Sequence, residues 1–333
     1  MPNGRALNRR DFGRITLAAL PLGMASRARA ARLSSVINGV RIGVQTYSYR
    51  DLPMEGVIDS IIRVMTETGL SECELFAQQA EPPNIATNFW SAFDPKELGA
   101  GADGGALSQQ LRDKARQENV IKAREELRKW RLEVSLDHFR AIRRKFDAAG
   151  IDVPVYNLSF NSSFTDPEMD RIFEHAKALG VNIISASTTL TVAKRLVPFV
   201  EKHKMYVSMH GHANLSDPDE FATPESFQKA LSLSKYFKIN LDVGHFSAAN
   251  FDAVAYIKER HADITHLHLK DRKKNGGPNV EWGQGDTPIK EVLLTLKRNK
   301  YPIPAYIEYE YPGKLSGVEE VKRCFEYCKQ ALA

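Results

Sequence analysis

Only three cysteines occur in 333 residues: Cys73, Cys324 and Cys328. So odd and sparse a set excludes a disulfide framework. Cys324 and Cys328 stand four apart on a predicted helix and share a face, where two buried thiols are expected rather than a strained bridge. The three are also poor material for a zinc–thiolate site. No apolar run after residue 30 is long enough to span a bilayer, so no stable membrane insertion is expected. No glycine-rich phosphate loop follows the first predicted strand, where "VQTYSYRD" (44–51) stands. The body of the chain also lacks a charge excess. The formal net charge is +5, and residues 1–30 carry all of it through Arg5, Arg9, Arg10, Arg14, Arg27 and Arg29 against Asp11. The neutral remainder gives no electrostatic case for binding nucleic acid or an anionic membrane.

What is present begins with that N-terminal segment. "NRRDFGR" (8–14) pairs two arginines, an uncharged stretch runs from Ile15 to Ala25, and "ARA" (28–30) offers a small-x-small cleavage site. The pattern resembles a twin-arginine export signal. It implies an exported, periplasmic protein whose mature chain starts near Ala31.

Residues 31–333 read as one domain built on a two-beat unit. Strands are predicted at 41–50, 71–76, 152–160, 181–188, 205–212, 237–245, 264–272 and 303–311. Each is followed by an amphipathic helix; one long helix is expected to run through 137–150, with an insertion at about 81–120 before it. That insertion includes the glycine-rich "GAGADGGALSQQ" (99–110) and stands where barrel insertions form lids. Eight strand-then-helix units imply an α/β fold of the (β/α)8 TIM-barrel type. A doubly wound open sheet is the runner-up, and the missing phosphate loop counts against it.

In a barrel the carboxyl ends of the strands converge on one site. The fifth predicted strand ends in His210 and His212, the sixth in Asp242, Gly244 and His245. The seventh, "ITHLHLKDR", carries His266, His268 and Lys270 at every second position, hence on one face. The eighth carries Glu308 and Glu310. Alternation of this kind also marks the wet face of a lone edge strand. Four consecutive strands ending in imidazoles and carboxylates instead suit one divalent metal ion: zinc, manganese, iron or cobalt. Without a metal, so many ionisable groups at a barrel mouth would incur a large desolvation penalty.

"NLDVGHF" (240–246), "HLHLKD" (266–271) and "IEYE" (307–310), with "GVQTYSYR" (43–50) and "WGQGDTPI" (282–289), resemble the xylose-isomerase-like barrels, the sugar phosphate isomerase/epimerase superfamily. The resemblance covers roughly residues 40–330. It implies Asp242, His268 and Glu308 as metal ligands, His245 as a substrate contact and Lys270 as another. The sugar epimerases of this group usually place a glutamate on the fifth strand as metal ligand and acid/base. Here His210 stands there, or His212 if the register slips, so a site of His210, Asp242, His268 and Glu308 is expected without the two-carboxylate shuttle. The base is then Glu310 or a histidine such as His245. His212 and His266 are expected to support the ligands through hydrogen bonds.

The expected activity is metal-dependent sugar isomerisation or epimerisation by proton abstraction beside a carbonyl. A lyase or hydratase acting on 3-keto-glycosides and a non-catalytic sugar-binding barrel are the alternatives. No arginine cluster suggests a phosphate grip, so a small non-phosphorylated carbohydrate is the expected partner. The sequence leaves the oligomeric state open.

Overall fold

In this computed structural model, residues 33–82 and 106–333 are described. The export segment over 1–30 and the core of the insertion lie outside the described residues. A two-residue strand β1 (Val36–Ile37) turns through Asn38 and Gly39 into β2 (Val40–Gln45) and pairs with it antiparallel. Both turn residues have positive φ, the geometry that an Asn-Gly pair supplies to a two-residue hairpin.

From β2 onward every neighbour is parallel. The order is β3 (Glu72–Phe76), β4 (Asp152–Asn157), β5 (Ile183–Ser187), β6 (Tyr206–His210), β7 (Phe237–Asp242), β8 (Ile264–Leu269) and β9 (Ala305–Ile307). β9 pairs back onto β2, with Ile42 opposite Ala305 and Val44 opposite Ile307. The sheet is therefore a closed eight-stranded parallel barrel, β2 to β9, as the strand-then-helix rhythm predicts. No helix among the described residues is long and apolar enough to cross a membrane.

The period-two alternation separates two environments. Val207, Met209, Ile239, Leu241, Leu267, Leu269 and Ile307 are buried beneath the helices. Fully burying each such side chain contributes about 1.5–3 kcal/mol. Their strand neighbours Ser208, His210, Asn240, Asp242, His266 and His268 are equally buried but face the barrel axis, where hydrogen bonds must replace water. The three cysteines are free and buried, as expected of packed thiols.

The helices are α1 (Val57–Thr68), α2 (Ala77–Ala80), α3 (Ala106–Glu133), α4 (Leu136–Ala149), α5 (Asp166–Leu179), α6 (Leu190–His203), α7 (Pro224–Leu231), α8 (Val243–Ala248), α9 (Ala253–Arg260), α10 (Ile289–Asn299) and α11 (Gly317–Leu332). The helical stretch before residue 150 is two helices. Ser135 caps α4, its side chain accepting from the Asp137 amide at 3.3 Å, and this breaks the run after Glu133. The sixth barrel strand also stops three residues early. Asp242 becomes the N-cap of α8, and His245 sits on that helix rather than on the strand.

Packing of α5 on α4 yields a pH prediction. His175 is fully buried and stacks on Phe139, ring centroids 4.3 Å apart. Burial, helped by the charges of Arg171 and Arg131, pushes its pKa from 6.5 down to about 3. The native state thus keeps His175 neutral while the unfolded chain takes up the proton. Its contribution is fully present above pH ~6.5 and is lost as pH falls toward ~3. Between pH 7 and pH 4 the His175→Phe variant should lose about 2–4 kcal/mol less stability than the parent in urea unfolding. Identical pH profiles would assign the acid sensitivity to other groups.

Candidate functional site

The carboxyl ends of β6 to β9 bring four side chains to one point. His210 and Asp242 are the last residues of β6 and β7, His268 lies near the end of β8, and Glu308 follows β9. One donor atom from each lies within 4.8 Å of those of the other three. His210 Nε2, Asp242 Oδ2, His268 Nδ1 and Glu308 Oε2 are all buried, and their contacts are ion pairs among themselves and to Lys270 rather than well-formed hydrogen bonds. Four buried donor atoms converging in a barrel interior form a set that a divalent cation could hold together.

The other atom of Asp242, His210 and His268 is already held. Asp242 Oδ1 accepts the His245 amide at 2.8 Å as the cap of α8, which leaves Oδ2 for the site. Ser187 Oγ lies 3.0 Å from His210 Nδ1. His268 Nδ1 faces Glu308 Oε2 at 2.8 Å, and its Nε2 meets the carboxylate of Glu74.

Sequence reasoning missed Glu74. It lies on β3, wholly buried, and its Oε2 is also 3.2 Å from His266 Nε2. Its Oε1 accepts from Asn157 Nδ2 at 2.6 Å. A carboxylate behind a candidate ligand histidine fixes the ring and raises its basicity. A signal was present: "ECELF" puts Glu72 and Glu74 at every second position, the alternation that marked β8. Burial opposes the charge on Glu74, but His268 and His266 outweigh it and hold the carboxyl well below the usual range. Burial likewise opposes a charge on His268, yet Glu74 and Glu308 raise its pKa to about 10. His266 is pushed down by burial despite Glu74. It lies deeper in the barrel, beside Tyr306, and meets the cluster through Glu74 and against the His268 ring, 5.6 Å away.

Lys270 does not simply extend toward solvent. It is 2 % exposed, and its Nζ stands 3.1 Å from Asp242 Oδ2, 2.9 Å from Glu308 Oε2 and 2.5 Å from Glu310 Oε2. These carboxylates raise its pKa against the effect of burial, so the ammonium stays charged. Burial also opposes the charges on Asp242 and Glu308, and Lys270 leads the interactions that hold both carboxyls low. Four carboxylates, those of Glu74, Asp242, Glu308 and Glu310, surround this one lysine and the His268 imidazole. Negative charge is in surplus, which favours a divalent cation.

Lys270 is seated by Gly244, where an added Cβ would come within 2.3 Å of Lys270 Cγ and 2.6 Å of its carbonyl oxygen. Gly244→Ala should therefore displace Lys270 and lower turnover at least ~10-fold, since small misplacements at a site carry large penalties. Unaltered steady-state kinetics in a folded Gly244→Ala protein would show that the lysine's position is immaterial.

His245 faces the cluster from α8. Its Nε2 lies 3.3 Å from Lys270 Nζ and 3.9 Å from Asp242 Oδ2, while the Arg272 guanidinium donates to its Nδ1 at 2.5 Å. Burial, with the charge of Lys270 against that of Asp242, keeps this imidazole neutral. Arg272 and Lys270, which can only donate, thus face the two ring nitrogens and hold His245 beside the cluster.

His212 lies at the open rim, its ring 5.0 Å from that of His210 and 5.1 Å from that of His245, with Nδ1 3.6 Å from Glu220. Burial and then His210 lower its pKa to about 4. The structure also gathers an arginine cluster that the sequence reading did not find. Arg124 and Arg131 on α3 share Glu168, and Arg131 also pairs with Glu81. Its members are seven apart in sequence and assemble only when α3 packs on α5.

A family model described as a xylose isomerase-like TIM barrel matches residues 120–330. L-ribulose-5-phosphate 3-epimerase UlaE of Salmonella paratyphi A is 26% identical over 119 residues, 34% of this chain and 42% of that protein. The match therefore spans less than half of the curated relative. Among solved structures, the IolI protein with a bound zinc atom aligns at 15% identity and a TM-score of 0.56, covering 88% of this chain and 98% of that one. The 3-keto-D-glucoside 4-epimerase YcjR from E. coli aligns at 12% identity and a TM-score of 0.56, covering 87% and 99%. At such identities these two structures establish the fold alone.

Proposed function

The chain belongs to the xylose isomerase-like TIM-barrel family, and we propose that it is a divalent-metal-dependent sugar isomerase or epimerase. The observation that carries the reading is the convergence of four buried donor atoms, on His210, Asp242, His268 and Glu308, within 4.8 Å of one another. Two imidazoles and two carboxylates suit zinc, manganese, cobalt or iron, and the zinc held by IolI supports a metal in this kind of barrel. When bound, such an ion supplies Lewis acidity that polarises a sugar carbonyl and acidifies the adjacent C–H.

The chain's own residues do the rest. Glu310, half-buried at the mouth and outside the four-residue set, is the base that removes the proton. Lys270, 2.5 Å from it, orients that carboxylate and carries positive charge toward substrate oxygens. His245, held between Arg272 and Lys270, is a substrate contact beside the oxygen on which negative charge develops. Glu74 keeps His268 Nδ1 turned into the site.

The Lys270–Glu310 pair favours a second reading, a lyase on oxidised glycosides, because the ammonium beside the base can hydrogen-bond a leaving oxygen and relay to it the proton that Glu310 removes. Incubation of the metal-loaded protein with ketoses and with keto-glycosides in deuterated water separates the two. Deuterium incorporation without cleavage is expected for the isomerase or epimerase, and release of the aglycone for the lyase. Absence of both would remove the catalytic reading.

A further inference from the structure

A cavity of about 250 Å³ opens at the same end of the barrel, between α2, α3 and the loop after β4. Its walls include Phe76, Arg124, Asn157, Ser159 and Phe164. Asn157 ties it to the candidate centre, because this side chain donates to Glu74, which in turn contacts His268. Arg124 is 6% exposed. Its Nε donates to Ser163 Oγ at 2.9 Å and its Nη2 to Glu168 Oε2 at 2.5 Å, which fixes the guanidinium plane. Its Nη1 is buried with no partner. Leaving such a donor unmade is costly, so a ligand acceptor is the natural complement.

We propose that this cavity is a subsite for a second, uncharged sugar unit, so that the substrate is a glycoside of at least two units rather than a monosaccharide. The proposal rests on the carbohydrate reading given above and specifies its substrate class. Volume argues for part of a molecule: complete small-ligand sites run to about 300–1,000 Å³. The cavity lies at the same end of the barrel, and its wall residue Asn157 reaches the centre's neighbour Glu74, so a unit there would extend from one at the centre. Charge argues for a neutral group. Arg124 and Arg131 are already balanced by Glu168 and Glu81, all four buried. A phosphate or carboxylate would add an uncompensated buried charge, whereas a sugar hydroxyl needs only to accept from Nη1. Phe76 supplies apolar wall for the C–H face of a pyranose, while the Phe164 ring, covered by Arg124 at 4.6 Å, backs the guanidinium.

The test is binding to the full chain, by calorimetry, of D-glucose, maltose, cellobiose and glucose 6-phosphate, with metal content measured separately. At least one disaccharide should bind about tenfold or more tightly than glucose, equivalent to about 1.4 kcal/mol. Arg124→Ala should abolish that advantage and leave glucose binding unchanged. Since Arg124 also pairs with Glu168, Ser159→Trp provides a second variant that fills the cavity from an exposed position without touching the ion pairs. It should abolish the same advantage. Disaccharides binding no tighter than glucose, or a preference that survives in Ser159→Trp, would overturn the proposal. Arg124-dependent preference for glucose 6-phosphate would make the cavity an anion site and overturn it equally. A chain that takes up no metal yet keeps the disaccharide preference would sink the metal-dependent reading and leave the subsite standing.

Discussion

His268→Ala is expected to lose metal and activity together. Its Nδ1 is one of the four convergent donor atoms, and no neighbouring side chain on β8 can replace it. His266 is two residues deeper and turned to Glu74, and Lys270 is a charged ammonium with no lone pair to give. The parent should gain about 2.7 kcal/mol of stability at a metal concentration 100 times the dissociation constant. His268→Ala and Asp242→Ala should show no such gain while remaining folded. Lys270→Ala should keep the metal-dependent gain and lose turnover. Thermal unfolding with and without zinc or manganese, alongside elemental analysis, reads all of these. If His266→Ala strips the metal and His268→Ala retains it, the ligand assignment on β8 is wrong by two residues.

The second large effect concerns Glu74, which touches no substrate in the proposed scheme. Glu74→Gln should weaken metal binding roughly 10–100-fold, as loss of an outer carboxylate behind a ligand histidine does. The amide keeps the shape but removes the charge that faces both His266 and His268. Glu74→Ala goes further. It leaves His268 with one carboxylate partner instead of two and strips Asn157 Nδ2 of its acceptor. Breaking a buried pair in this way should lower the stability of the metal-free protein by about 3–5 kcal/mol. Metal titration of Glu74→Gln and urea unfolding of Glu74→Ala check the two halves. Parental affinity in Glu74→Gln would mean that packing alone, not the carboxylate, orients His268.

Much of this site could be read before any coordinates, because a strand has a strict period of two. "HLHLK" puts His266, His268 and Lys270 on one face whatever surrounds it, and "EYE" does the same for Glu308 and Glu310. Eight alternations of strand and helix were enough to predict the barrel, since parallel strands need helical crossovers and eight of them close. Convergence of His210, Asp242, His268 and Glu308 follows from those two facts, with each residue at a carboxyl end. Depth is a different matter. The stagger between strands decides that Glu74 of β3 meets His268 of β8, on the far side of the barrel, while Glu72 two residues earlier meets Tyr306. No local pattern holds that information, because it depends on how the closed sheet shears. Tertiary structure also decided the placement of His245, between Lys270 and Arg272 on a loop 27 residues later. It decided the seat of Lys270 among three carboxylates as well, through the close approach at Gly244. The sequence by itself determined which faces carry polar groups, since that is a property of each strand alone. Which of those groups touch was left to the packed barrel, since contact is a property of strands together.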